Sequence, residues 1–196
     1  PMYTLHNHSH EPDWRVRSWL EQAGAARDAV VAVLLPDACP GRSPLPTGTA
    51  LLTTAPDWRR LAVSDVGCGM CIVRSTLRGQ DLAAHDFRRS WMGLCEALRA
   101  NRNRGLGDLG SGNHFLDAVV SAGDQSVAFV VHTGSRQESG LVDNLVDTPG
   151  KFEREFRRIE AWAMANRQCV LDFVARYLGP FAPLSPGLDR LDRNHN

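Results

Sequence analysis

The chain has 196 residues, 43% hydrophobic and 22% charged, the balance of an ordinary folded protein and not of a disordered or fibrous one. Its 22 basic and 22 acidic side chains give a formal net charge of +0, which excludes a global basic field for drawing in nucleic acid. The 5 cysteines are an odd number, no apolar leader opens the chain and no apolar run could span a bilayer, so a reducing cytoplasm with no membrane is expected.

The length suits a single domain over 1–196. Near its start, His6, His8 and His10 alternate with other residues; such a run can grip a metal, though near a terminus plain surface is commoner. Residues 13–26 read as a short amphipathic helix with Val16, Trp19, Leu20 and Ala23 on one face. Residues 28–35 (DAVVAVLL) read as a buried strand halted by Pro36, and 48–54 as a second strand. A glycine-rich turn follows, left by a strand over 71–75. Leu82, Phe87, Trp91, Leu94 and Leu98 predict a helix over 81–100. Strands at 116–121 and 126–131 form a pair across residues 122–125. The longest helix is expected over 152–178, with Phe152, Phe156, Ile159, Ala163, Val170, Phe173 and Tyr177 facing inward, before a Pro-rich tail. The pattern is α+β.

Three short motifs carry the chemistry. In Ser64-Asp65-Val66-Gly67-Cys68-Gly69-Met70, glycines on both sides of Cys68 allow a tight turn that aims a carboxylate and a thiolate at one point. Taken alone the motif is weak, since a buried Cys in a glycine turn is more often structural. Cys68 and Cys71 also form a CxxC, but with no second pair and no βαβ context a zinc knuckle or thioredoxin-like site is disfavoured. In Gly110-Ser111-Gly112-Asn113-His114, small residues leave backbone N–H groups open to a phosphate. In Val131-His132-Thr133-Gly134-Ser135-Arg136, His132 closes an apolar strand, and Ser135 and Arg136 beyond it could bond a phosphate. A core histidine bonded to a backbone carbonyl is the competing reading. Apart from Lys151 every basic side chain is Arg, whose planar fork suits phosphate. The final Asn194-His195-Asn196 adds one more imidazole at a chain end.

In this order, DVGCGM (65–70), LGSGNHF (109–115) and VHTGSR (131–136) resemble the RtcB family of RNA ligases. Members join a 3′-phosphate or 2′,3′-cyclic phosphate end to a 5′-hydroxyl end, using GTP and manganese. The likeness runs from about residue 30 to 196, taking in LLPDA (34–38), GTA (48–50) and AWAMANR (161–167). It implies an RtcB-like fold, with mixed and antiparallel sheets and flanking helices around a metal cleft. Two Mn²⁺ ions are implied: one held by Asp65, Cys68 and His114, the other by Cys68, His132 and His195, with Cys68 bridging. The implied contacts to GTP or GMP are Asn113, His114, Phe115, Leu116, Asp117, His195 and Asn196, with the RNA-end phosphate at Ser135 and Arg136.

The chain departs from the family in three ways. Asp117 stands where the family carries Glu, the segments between the ligands are short, and no HGAGR-like segment with the family's nucleophilic His occurs in these residues. The catalytic residue is therefore unknown. The expectation is a shortened GTP- and Mn-dependent RNA ligase of tRNA splicing or RNA repair, inactive alone. Its implied partners are RNA ends (tRNA halves or damaged RNA), GTP and an archease-type activator. Without the resemblance, Asp, Cys and three His suggest a metal-dependent phosphodiesterase or other hydrolase. A catalytically dead fragment that binds metal or RNA ends is the third reading.

Overall fold

The computed structural model describes residues 3–40, 44–61, 66–110, 112–135, 138, 140–179 and 190–194. The chain is α+β, with two mostly antiparallel sheets and four helices among the described residues. It divides into two compact units, one formed by Pro1–Ser64 with Gly140–Glu155 and the other by Asp65–Ser139 with Phe156–Asn196. No described helix is long and apolar enough to cross a membrane.

In the first unit, β1 (Thr4–Asn7), β2 (Ala29–Cys39) and β3 (Thr47–Thr53) form a sheet in that order. β1 and β2 run parallel, and parallel neighbours need a crossover, here α1 (Asp13–Gln22). Val16 and Leu20, one turn apart, share a buried cluster with Tyr3, Ala32 and Leu34. The helix ends before the expected residue 26 because Gly24 takes a left-handed conformation (φ 71). Its N–H reaches Glu21 O at 2.9 Å and the Ala25 N–H reaches Leu20 O at 2.9 Å, a Schellman closure. β2 passes through Pro36, where a stop was expected. Its register with β3 is irregular between Leu34 and Cys39, and a proline is tolerated where no ladder bond is required. His6, His8 and His10 are exposed, and among the described residues they join no metal-binding cluster. The unit also contains the short α3 (Gly140–Asp143) and the first turns of α4 (Pro149–Leu178). There Trp58 meets Phe152 edge-on, with ring centroids 5.9 Å apart.

The second unit is built on a four-stranded antiparallel sheet of β4 (Gly69–Arg78), β5 (Phe115–Val120), β6 (Ser126–Thr133) and β7 (Arg190–Asn194), ordered β5-β6-β4-β7. Alternation along the strands turns Cys71 and Val73 of β4 and Val127, Phe129 and Val131 of β6 into one core. α2 (His85–Ala100) contributes Phe87, Leu94 and Leu98 to it; α4 contributes Val170, Val174 and Leu178. The expected helix over 81–100 is split, a 3-10 turn at Gly79–Ala83 preceding α2. That turn is fixed by the Arg78 N–H bonded to Asp81 Oδ2 at 2.7 Å. α4 begins at Pro149, three residues before the expected start, since proline's fixed φ suits the first helical position. Phe129 is fully buried and stacks on Trp91 at 6.2 Å between centroids. Phe129→Ala should therefore cost about 3–5 kcal/mol, read as a lowered denaturant midpoint at unchanged slope.

Candidate metal centre

Antiparallel pairing brings three of the sequence motifs to one end of the sheet. β6 lies between β4 and β5, so the starts of those two strands flank its finish. His132 is the penultimate residue of β6, paired with Met70 of β4 on one side and Phe115 of β5 on the other. Cys68 immediately precedes β4 and His114 immediately precedes β5, so both overhang His132. Because Val131 and Phe129 point into the core, alternation sends the His132 ring to the opposite face.

The Cys68 Sγ lies 3.2 Å from His132 Nε2 and 3.7 Å from His114 Nε2. All three donor atoms fall within 4.8 Å of one another, the single such group among the described residues. The two imidazoles meet edge-to-face with centroids 5.3 Å apart. Cys68 is 8% exposed and His132 5%, while His114 is half-buried, so the group opens on one side. Metal–sulfur and metal–nitrogen bonds of about 2.3 and 2.1 Å at a tetrahedral angle would separate S from N by about 3.6 Å. The 3.7 Å spacing to His114 matches that and the 3.2 Å spacing to His132 is shorter, so the three donors would hold a divalent ion after a small opening of the Cys68–His132 pair.

Behind the donors lies a buried polar hub on α4. Arg167 is completely buried, and its Nη1 donates to the carbonyls of Gly67 (2.8 Å) and Thr133 (2.9 Å). Its Nε donates to Asp192 Oδ1 at 2.8 Å and its Nη2 to Asn194 Oδ1 at 2.6 Å. Asn166, also fully buried, accepts from the N–H groups of Gly107 (2.7 Å) and Asp108 (3.1 Å) through Oδ1. Its Nδ2 donates to Asp108 O at 2.9 Å, and the Asp108 carboxylate accepts from the Gly110 N–H at 2.8 Å, within the loop that leads to His114.

The other expected contacts are distributed around this group. Phe115 sets its ring edge-on to His132, with centroids 5.3 Å apart. Asn113 and Asp117 are exposed, and Asp117 shares the Phe115 face of β5. The Leu116 side chain packs into the core, which leaves only its backbone for a ligand. Ser135 is fully buried and its carbonyl accepts from the Glu138 N–H at 3.1 Å. Asp65, Ser111, Arg136, His195 and Asn196 lie outside the described residues. No family model and no curated protein matches this chain.

In the sequence Asn166 and Arg167 stand only as the end of AWAMANR (161–167) with no role attached, although a signal for one is present. Asn166 and Arg167 stand three and four residues after Ala163 and just before Val170, on the stripe that α4 buries. A polar pair on such a stripe marks a buried network.

Proposed function

We propose that this chain is a metal-dependent enzyme of phosphate-ended RNA, an RtcB-type ligase or the metal-binding portion of one. The observation that carries the metal part is the convergence of Cys68, His114 and His132, three donors drawn from three separate motifs. The RNA and ligase part rests on the sequence resemblance alone.

Cys68, His114 and His132 would hold a divalent ion, with Asp65 and His195 as the further ligands the resemblance implies. Manganese favours nitrogen and oxygen donors, so imidazoles and a carboxylate beside the thiolate make a suitable set. When bound, such an ion polarises a phosphoryl oxygen and neutralises the charge that gathers there. The chain's own residues do the rest. Phe115 restricts the tilt of the His132 ring, the near-complete burial of Cys68 and His132 keeps water from the inner side, and half-exposed His114 faces the approach of a ligand. In this reading Asn113 and Asp117, exposed at the start of β5, bond a guanine nucleotide. Asp117 is one methylene shorter than the family's Glu.

A second reading has a specific support. One Cys with two His is a three-donor set of the kind that catalytic zinc sites use while keeping a fourth position for water, which suits a phosphodiesterase or another hydrolase. One experiment separates the two. With Mn²⁺ present, fluorescence anisotropy should show RNA ending in 3′-phosphate binding at least about tenfold more tightly than the same RNA ending in 3′-hydroxyl, since bonds to charged groups contribute about 1.5–3 kcal/mol. The preference should vanish with chelator and in His132→Ala. Equal binding of the two ends would defeat the ligase reading, and release of inorganic phosphate or opening of a cyclic phosphate would favour the hydrolase.

A further inference from the structure

The geometry points to Arg167 as the positioning residue of the metal centre, holding the Cys68 and His132 donors at their working separation. This deepens the metal reading above and rests on it. One nitrogen, Nη1, is bonded to the carbonyl of Gly67, which leads directly into Cys68, and to the carbonyl of Thr133, which directly follows His132. The two ligand segments come from strands β4 and β6, and the guanidinium ties their ends together beyond the last ladder pair, Gly69 with Thr133. Its orientation is fixed in turn from β7, by Asp192 through Nε and by Asn194 through Nη2. The preceding residue, Asn166, anchors the loop before His114 to the same turn of α4 and lies 3.5 Å from Thr133 Oγ1.

The chemistry explains why this position holds arginine. Only a rigid fork offers donors in one plane to four acceptors on three strand ends, and a lysine ammonium is a single point that cannot span them. A buried arginine with its Asp192 partner is costly to assemble, and an apolar pair of similar volume would fill the space at least as stably. What an apolar pair would not do is hold the Gly67 and Thr133 carbonyls in place. Groups that orient metal ligands in this way typically change metal affinity by about 10- to 100-fold when replaced.

The test uses Co²⁺ as the probe, because its thiolate charge-transfer absorption reports the geometry at sulfur independently of any catalytic activity. Wild type should show that band and Cys68→Ala should lose it. Arg167→Lys should retain its circular dichroism, bind Co²⁺ about 10- to 100-fold more weakly and show a displaced band. Val170→Ala, in the core of the same helix, should lower thermal stability with no change in either property. If Arg167→Lys behaves like Val170→Ala, the positioning role is wrong while the metal centre stands. If wild type lacks the band, the metal reading fails and this inference fails with it. Should Arg167→Lys not fold, Asp192→Ala decides, since it removes the Nε acceptor that fixes the orientation of the guanidinium. Weakened Co²⁺ binding there supports the role, and wild-type binding overturns it.

Discussion

Cys68→Ala is expected to weaken divalent-metal binding by about two to three orders of magnitude while leaving the fold intact, and Cys71→Ala is expected to do the reverse. Four-donor zinc sites bind with about 10–16 kcal/mol, or about 2.5–4 kcal/mol for each donor. Cys68 contributes the sulfur that lies 3.2 and 3.7 Å from the two imidazole nitrogens, so its loss leaves only the two imidazoles of the group among the described residues. Cys71, three residues on, is fully buried in the apolar cluster with Val73, Phe129 and Val131. Its thiol acts as a small hydrophobe there, and truncation should cost about 1 kcal/mol of stability with metal affinity unchanged. Elemental analysis after dialysis against Mn²⁺ or Zn²⁺, beside denaturant unfolding, reads both effects. Equal metal loss in the two variants would mean that the CxxC pair is the site after all.

The legibility of the two units in the sequence follows from how strongly each segment carries a period. β2, β3, β4, β5, β6, α1, α2 and α4 each have an apolar stripe or a β-branched run, and their places were readable to within a few residues. β1 and β7 were not. Thr4–Asn7 and Arg190–Asn194 are mostly polar, and each becomes a strand by pairing at the edge of a sheet, with β2 and β4 respectively. An edge strand needs backbone bonds and little apolar patterning, so local sequence says almost nothing of it. The end of α1 was legible in principle, since Gly24 is the residue a left-handed cap requires.

The candidate centre divides along similar lines. Glycine turns and a strand-ending histidine drew attention to Cys68, His114 and His132 one by one, but only the β5-β6-β4 order explains why they meet. Spacings of 46 and 64 residues carry no such information by themselves. Arg167 and Asn166 show in the sequence as a polar pair on the buried stripe of α4, but their partners do not. Their importance lies in hydrogen-bond partners from the Gly67 turn, β6, β7 and the Gly107 loop, all distant in sequence. Ser135, read with Arg136 as bonding a phosphate, is fully buried.

Gly67→Ala should be a strongly damaging single-methyl change in the second unit. Gly67 has φ 75, a conformation that costs other L-residues about 1–2 kcal/mol. A Cβ at this position would stand 2.7 Å from the Ala163 Cβ and 3.1 Å from the Glu160 Cα, both on α4. The helix backbone cannot yield as a flexible side chain would, so the turn itself must move outward. Overpacking of this kind adds about 1–3 kcal/mol, giving a total of about 2–5 kcal/mol. The same displacement draws the Gly67 carbonyl off Arg167 Nη1, from its present 2.8 Å, and carries Cys68 away from His132. Stability and metal affinity should therefore fall together, unlike in either cysteine variant. Gly24→Ala is the control, because that glycine is also left-handed (φ +71) but a Cβ there meets nothing within 4 Å. It should show the conformational cost alone, with metal binding at the wild-type level. A Gly67→Ala protein that loses no more stability than Gly24→Ala and keeps its Co²⁺ affinity would show that the turn can slide along α4 without moving the thiolate.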